Sequence, residues 1–281
     1  MKLGVSSYSF AQAVRAGRMT TYDIVDAAAK MGFESIDFAV LLGDDPIPEM
    51  CAKLGKQAKD AGLLVKNYAV SADFLANDVD VEAERVCREL DNAVLLGAKT
   101  FRHDVTWTSP SVTNPFTFAQ VLPRLAEGTR KVTEYAQTLG IRTCVENHGQ
   151  FVQESARILA LIDAVGHKNF GALVDMGNFM CADEDPQKAV GVLAPYAVHA
   201  HAKDFLYKPC TAANPGREWF GTRGGAYLRG TVVGHGVVPV EAGLRILKAA
   251  GYDDVVAIEF EGMEPCEAAL ELGLENLKRM L

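Results

Sequence analysis

Four strand-like segments of the sequence each end in a side chain that can bind a metal ion. The segments are Arg142–Glu146, Gly171–Asp175, Ala197–His201 and Val255–Glu259. Carboxylate oxygens and imidazole nitrogens suit Mn²⁺, Mg²⁺, Co²⁺ or Zn²⁺, with positions left open for substrate oxygens. If the four strand ends meet, the sequence predicts a site for one divalent ion formed by Glu146, Asp175, His201 and Glu259.

Each of these residues, taken singly, has an ordinary explanation. A carboxylate at a strand end commonly marks only the point where the chain meets water, and a lone histidine is more often a core or surface residue than a ligand. Several such side chains brought together without a cation repel one another, which raises the pKa values of the carboxyl groups. A bound divalent ion removes that cost, so the combination favours a metal site.

The elements that must position these residues alternate between strand-length apolar runs and longer segments with helical periodicity. The other four predicted strands are Leu3–Ser7, Ser35–Phe38, Leu63–Asn67 and Thr100–His103. The predicted helices cover approximately residues 21–31, 48–61, 81–96, 118–139, 154–165, 186–193, 239–250 and 266–280. Alternating units indicate a parallel sheet, and eight of them in a chain of this length predict an α/β fold, a (β/α)8 TIM barrel over residues 1–281. A doubly wound open sheet is the alternative, and the lack of an early G-x-G-x-x-G weakens it.

Composition excludes several classes of protein. The 281-residue chain is 49% hydrophobic with a net charge of -8, which argues against binding a nucleic-acid phosphate backbone. No apolar run approaches the length of a membrane span, and the opening "MKLGVSSYSF" lacks the apolar core of a signal peptide. The six cysteines show no C-x-x-C spacing and are typical of reduced thiols. We therefore expect a cytoplasmic protein with no nucleic-acid or membrane partner.

The motifs "VENHG", "VDMGN", "HAKDF" and "IEFEG", in this order and spacing, resemble the xylose isomerase-like barrel superfamily. The resemblance runs from "LGVSSYSF" to "GHGVVPVEAGLRILKAAGYDDVVAIEFEG" and is strongest to the sugar phosphate isomerase/epimerase branch. It implies that Glu146, Asp175, His201 and Glu259 bind one divalent metal ion, and that the two glutamates also exchange protons with a carbohydrate substrate.

The resemblance also implies a mechanism with three possible outcomes. The metal would bind two neighbouring oxygens of an α-hydroxy carbonyl substrate and stabilise the enediolate formed when a C–H proton leaves. Return of the proton to the opposite face gives epimerisation, and its return to the neighbouring carbon gives isomerisation. Loss of a β-hydroxyl gives dehydration. We expect an isomerase or epimerase of a small sugar, sugar acid or cyclic polyol, with a lyase that dehydrates an inosose or related keto-polyol as the alternative.

Further residues are candidates for contacting substrate. His148 and Lys203 each follow a ligand by two positions and should point the same way, because strand side chains alternate between faces. By the same rule only one of Arg102 and His103 faces into the barrel, and we expect it to be His103. Asn178 departs from many relatives, which carry a histidine there. An amide can donate a hydrogen bond but does not titrate near neutral pH, which puts an acid–base role for this position in doubt.

The segment Phe205–Gly236 is long for a barrel loop and contains several arginines and Trp219. Long loops of this kind are commonly lids or binding surfaces. An arginine here, Arg223 in particular, could hold a phosphate or carboxylate of the substrate. The same segment could instead form a homo-oligomer contact with Trp219 as anchor.

Two other functions for a barrel of this kind are less well supported. A non-catalytic sugar-binding barrel should have lost metal ligands, whereas all four are present. A DNA-repair endonuclease on this scaffold needs a multi-zinc cluster and a cationic face, which six histidines and a net charge of -8 do not favour.

Overall fold

Eight parallel strands form a closed barrel in the computed structural model, which describes residues 1–281. The barrel strands are β1 (Lys2–Ser6), β2 (Ser35–Ala39), β3 (Leu64–Val70), β4 (Thr100–His103), β5 (Arg142–Glu146), β6 (Phe170–Asp175), β7 (Ala197–Ala202) and β11 (Val255–Ile258). Each strand pairs with the next in chain order, and β1 closes the barrel by pairing with both β2 and β11. The predicted TIM barrel is thus confirmed and the open doubly wound sheet is excluded.

Helices surround the barrel and bury their apolar faces against the outside of its strands. Their bounds are α1 (Ala11–Arg15), α2 (Asp23–Met31), α3 (Ile47–Asp60), α4 (Val79–Leu96), α5 (Phe118–Thr138), α6 (Ser155–Val165), α7 (Pro186–Leu193), α8 (Val240–Ala249) and α9 (Cys266–Met280). No helix combines the length and the apolar character that crossing a membrane requires.

Local sequence signals explain where the helices begin and end. Helix α4 begins after Asp78, whose carboxylate accepts the backbone N–H groups of Asp80 and Val81, and it ends at Gly97, with φ of 76°. Helix α5 begins with a capping box in which Thr117 and Gln120 each bond the other's backbone. Such caps satisfy backbone groups that have no partner inside the helix, and glycine reaches positive φ without steric cost.

The segment between β7 and α8 is an ordered sheet rather than an irregular loop. Strands β8 (Asp204–Lys208), β9 (Phe220–Gly221) and β10 (Tyr227–Thr231) form an antiparallel sheet in the order β8-β10-β9. After β10 the chain returns to the barrel. The carboxylate of Asp204 holds this returning segment by accepting hydrogen bonds from the backbone N–H groups of Gly234, Gly236 and Val238 at 2.8–3.0 Å. The sheet therefore extends directly from the strand that carries His201.

Candidate metal centre and pocket

The four predicted ligands converge at the C-terminal end of the barrel. Glu146, Asp175 and His201 lie on β5, β6 and β7, and Glu259 directly follows β11. Their ligand atoms all lie within 4.8 Å of one another. Nδ1 of His201 is 3.7 Å from Glu259 Oε1, 3.8 Å from Asp175 Oδ2 and 3.9 Å from Glu146 Oε1. One nitrogen and three carboxylates therefore face a common point.

A buried carboxylate, that of Asp37, contacts the ring nitrogen of His201 that faces away from the cluster. Oδ2 of Asp37 lies 3.1 Å from Nε2 of His201 and 2.5 Å from Nε2 of His199. Burial raises the pKa of Asp37, but its attraction to the two imidazoles outweighs this effect and lowers the pKa to about 2. His199 is completely buried in the barrel interior, and Nδ1 of His201 faces the three carboxylates.

Asp175 is held by backbone donors on one side only. Its Oδ1 accepts the N–H groups of Gly177 and Asn178, both at 2.8 Å. Asn147 bonds both the N–H and the carbonyl of Asp175, which fixes the end of β6. The other oxygen, Oδ2, is buried without a hydrogen-bond partner and faces the cluster. Burial raises the pKa of this carboxyl to about 6, against the opposing effect of Lys203.

A divalent cation fits this arrangement. Asp175 Oδ2 and His201 Nδ1 are both buried without hydrogen-bond partners, and buried polar atoms normally have one. Burial lowers the pKa of His201, but Glu259, Asp37 and Glu146 outweigh it and raise the pKa to about 9, so a proton is attracted to the point that a cation would occupy. One Glu–Asp–His–Glu set of this kind matches the donors that Mn²⁺, Mg²⁺, Co²⁺ and Zn²⁺ accept.

The two glutamates differ in their partners. Glu146 accepts a hydrogen bond from Asn178 Nδ2 at 3.0 Å, and its Oε2 lies 2.7 Å from Nε of Arg102. Glu259 pairs with the Lys203 ammonium at 2.7 Å. Burial raises the pKa of Glu259, but Lys203 and His201 outweigh it and hold the pKa well below its usual range. Each glutamate thus lies beside a cation, Arg102 for Glu146 and Lys203 for Glu259.

A cavity of about 270 Å³ opens above the cluster and is lined by Glu146 and Glu259. Its polar lining residues include Tyr8, Arg102, Asp104, His148, Lys203 and Glu261. Its apolar lining residues are Ala39, Val40, Ala69, Val70 and Trp107. The volume suits a small molecule with at least one hydrocarbon face.

The predicted substrate residues fall into two groups. His148 and Lys203 line the cavity. Asn178 is buried between Glu146 and Lys203, donating a hydrogen bond to Glu146 and accepting one from Lys203 at 3.2 Å.

The other two residues that were predicted to contact substrate, His103 and Arg223, do not line this cavity. His103 is completely buried outside the cavity, where its ring stacks on Phe170 and its Nδ1 lies 2.8 Å from the carbonyl oxygen of Asp104. Arg102, the rejected neighbour, faces the cavity instead. Arg223 is exposed and bonds the Glu154 carboxylate and the Gln150 carbonyl, so its charge is engaged outside the cavity.

Sequence reasoning missed several residues of the site. Arg102 Nη2 lies 2.9 Å from Asp104 Oδ1 and 2.8 Å from His148 Nδ1, which holds the wall of the cavity together. Glu261 lines the cavity, and its Oε2 lies 3.4 Å from Lys203 Nζ. The sequence did contain one sign of such residues, namely a charged side chain inside an otherwise apolar strand. Asp37 in "SIDFA" and Arg102 in "TFRHD" are the examples.

Comparison with known proteins bears directly on the fold. The family model described as "Xylose isomerase-like TIM barrel" matches residues 25–280. The chain belongs to this family. An Escherichia coli (strain K12) relative, the uncharacterized protein YihM, is 24% identical over 265 residues, which are 94% of this chain and 73% of YihM.

Solved structures of the same fold include several enzymes. The IOLI protein with a bound zinc atom superposes with a TM-score of 0.77 at 15% identity, over 100% of this chain and 98% of IOLI. D-psicose 3-epimerase in the presence of D-fructose superposes with a TM-score of 0.72 at 18% identity, over 100% of this chain and 99% of the epimerase chain. The probable 3-DHS dehydratase AsbF of Bacillus anthracis gives 0.72 at 18% identity, over 99% of each chain. At these identities the likeness shows the shared barrel.

Proposed function

We propose that the protein is a divalent-metal-dependent isomerase or epimerase of a small sugar, sugar acid or cyclic polyol. The observation that carries the proposal is the placement of Glu146 and Glu259 in the wall of one cavity, beside the buried Asp175 and His201. When bound by these four residues, a divalent ion supplies a Lewis acid that polarises the substrate carbonyl. The zinc-containing IOLI and the D-psicose 3-epimerase structures support this proposal by sharing the fold.

The two glutamates are suited to moving one proton. Strands β5 and β11 are separated in the barrel by β6 and β7, so the carboxylates reach the cavity from different sides. One glutamate, as the carboxylate, removes the proton beside the substrate carbonyl, and the other, which must carry a proton of its own, donates it to the opposite face. Arg102 lies 2.7 Å from Glu146 and Lys203 lies 2.7 Å from Glu259, so each glutamate has a cation within contact distance.

The neighbouring side chains hold the substrate. His148 and Lys203 present nitrogen atoms to the cavity, where they can bind hydroxyl or carbonyl oxygens. Apolar lining residues such as Val40 and Trp107 pack against the carbon skeleton. Together these contacts orient the substrate, which a selective proton transfer requires.

A second candidate is dehydration of a keto-polyol. The ammonium of Lys203 lies beside Glu259 and can stabilise or protonate a departing hydroxyl after the same C–H proton has been removed. The fold shared with a probable dehydratase is consistent with this reaction.

Incubation in D₂O tests the proposal. The metal-loaded protein should introduce deuterium at one C–H position of a responsive ketose or inosose, measured by NMR and mass spectrometry. Glu146→Gln and Glu259→Gln should each slow the exchange at least about 10²-fold, because a general acid or base contributes about that much. Glu271→Gln, on the exposed face of α9, is the matched control and should leave the rate of deuterium exchange unchanged.

The same experiment separates the two candidate reactions. A product that has taken up deuterium but has lost no atoms supports isomerisation or epimerisation. A product that has lost water and shows a conjugated ultraviolet absorption supports dehydration. If both glutamine variants exchange deuterium as fast as the wild type, the roles assigned to Glu146 and Glu259 are contradicted.

A further inference from the structure

The buried carboxylate of Asp37 contacts His201 across the barrel interior. Asp37 lies on β2, which is separated from β7 by β1 and β11, and is only 1% exposed. Its Oδ2 is 3.1 Å from Nε2 of His201. We infer that Asp37 is a positioning residue that fixes His201 in the tautomer and orientation needed to bind the divalent ion through Nδ1. The inference rests on the metal centre proposed above.

The chemistry of the contact selects one tautomer. A neutral imidazole carries one N–H, and an ionised carboxylate can only accept a hydrogen bond. The contact with Asp37 therefore places the hydrogen on Nε2 and leaves the lone pair on Nδ1. Because Nδ1 is the nitrogen that faces Glu146, Asp175 and Glu259 at 3.7–3.9 Å, the selected tautomer is the one able to bind a cation there.

The polar contacts of Asp37 are directed at the two imidazoles. Oδ2 contacts Nε2 of both His199 and His201, whereas Oδ1 is buried without a partner. Asp37 caps no helix and bonds no backbone group, unlike Asp204 or Asp78, so its carboxylate has no other apparent task in the fold. His199 gives the same oxygen a second donor and thereby restrains it beneath His201.

These three side chains do not form a second metal site. The 2.5 Å separation of Asp37 Oδ2 and His199 Nε2 is a hydrogen-bond distance. Two ligands that each lie about 2.0–2.2 Å from a tetrahedral ion are about 3 Å or more apart. The contact therefore leaves no room for an ion between the two atoms, and Asp37 acts on the ligand rather than as one.

The positioning role of Asp37 can be tested by measuring metal affinity, which requires no substrate. Dissociation constants for Zn²⁺ and Co²⁺ are obtained by competition with a chromophoric chelator. Asp37→Asn, which preserves the side-chain volume, should weaken binding about 10–100-fold, the usual loss when the hydrogen-bond partner of a metal-binding histidine is removed. Asp254→Asn is the matched control: it breaks a pair with the buried Lys66 at the start of β11, and it should leave affinity unchanged.

A double-mutant cycle distinguishes positioning from general damage to the barrel interior. In the His201→Gln background, Asp37→Asn should cause little further loss of affinity, because its effect passes through His201. The absorption spectrum of bound Co²⁺ in Asp37→Asn should also shift towards that of His201→Gln. Independent, multiplicative losses in the two variants would overturn the inference.

Nitrogen NMR of the Zn²⁺-loaded wild type tests the tautomer directly and does not depend on the variant folding. The expected result is a protonated Nε2 and a zinc-bound Nδ1 in His201; the reverse overturns the inference. A wild type that binds neither ion contradicts both this inference and the proposed function. Metal binding that shows the Asp37 effect, in a protein that exchanges no substrate deuterium, contradicts the proposed reaction alone.

Discussion

His103 is a buried imidazole whose Nε2 has no hydrogen-bond partner. Burial lowers its pKa from 6.5 to about 4, so the folded protein keeps it neutral under conditions in which the unfolded chain binds a proton. The unfolded state therefore gains protons relative to the folded state as pH falls from about 6.5 to about 4, and the free energy of unfolding decreases.

The expected contribution of His103 to this loss is up to about 3 kcal/mol, and it levels off below about pH 4. Urea denaturation at a series of pH values measures it. In the His103→Gln variant this component is absent, so the difference in stability between wild type and variant should change steadily across the range. Parallel stability curves would contradict the assignment.

The ligands and their supporting residues differed in how far the sequence could predict them. Glu146 and Asp175 close their strands and Glu259 directly follows its strand, so counting strand ends located them. Arg102 and His103 stand side by side in one strand, and strand alternation alone does not say which of them faces inward. Asp37 acts through His201, 164 residues away, and no local pattern encodes that contact.

At the scale of elements, the close approach of α3 to the C-terminal end of α4 depends on a single glycine. A Cβ at Gly55 would lie 2.5 Å from the carbonyl oxygen of Leu95 and 2.9 Å from Cα of Leu96. Both atoms belong to the backbone, which cannot move aside cheaply. Absence of the side chain is thus what lets the two helices pack at this distance.

Gly55→Ala should destabilise the protein by about 1–3 kcal/mol, the range for overpacking, although alanine is the better helix former. Gly191→Ala in α7 is the matched control, since no atom lies within 4 Å of its added Cβ. That change should stabilise by about 0.5–1 kcal/mol. Urea unfolding of both variants gives the two values, and a stabilised Gly55→Ala variant would show that the helices can separate freely.

Helices and barrel strands were largely predictable because each follows an apolar period and many have a capping residue or a terminal glycine. The sheet of β8, β9 and β10 was not. Its strands are short and lie among glycines, so the sequence in this region has the composition of a loop. Pairing between Tyr227–Thr231 and Asp204–Lys208 is a tertiary contact that spans a connection rich in turn residues.

At the scale of the whole molecule, the proposed ion would link four strands of the barrel. A ligand that binds only the folded state stabilises it by mass action, by about 2.7 kcal/mol at a free concentration 100 times the dissociation constant. For a domain of this size that corresponds to a rise in melting temperature of about 5 °C. Differential scanning calorimetry with Mn²⁺ or Zn²⁺ should show this rise, and excess EDTA should reverse it.

Asp175→Asn is the variant that checks the origin of this stabilisation. It removes the charge of a buried ligand while keeping the side-chain shape, so added metal should no longer raise its melting temperature. An equal rise in the variant would place the ion elsewhere on the protein.

Closure of the barrel also determines which backbone groups remain open to other chains. The eight parallel strands have no free edge, so unpaired strand backbone is confined to the small sheet. There, the outer strand β9 has only two residues, and the N–H of Val237 bonds the Phe205 carbonyl on β8 at 2.9 Å. The chain therefore offers little template for intermolecular strand addition, which protects it from edge-to-edge aggregation while the pocket end stays open.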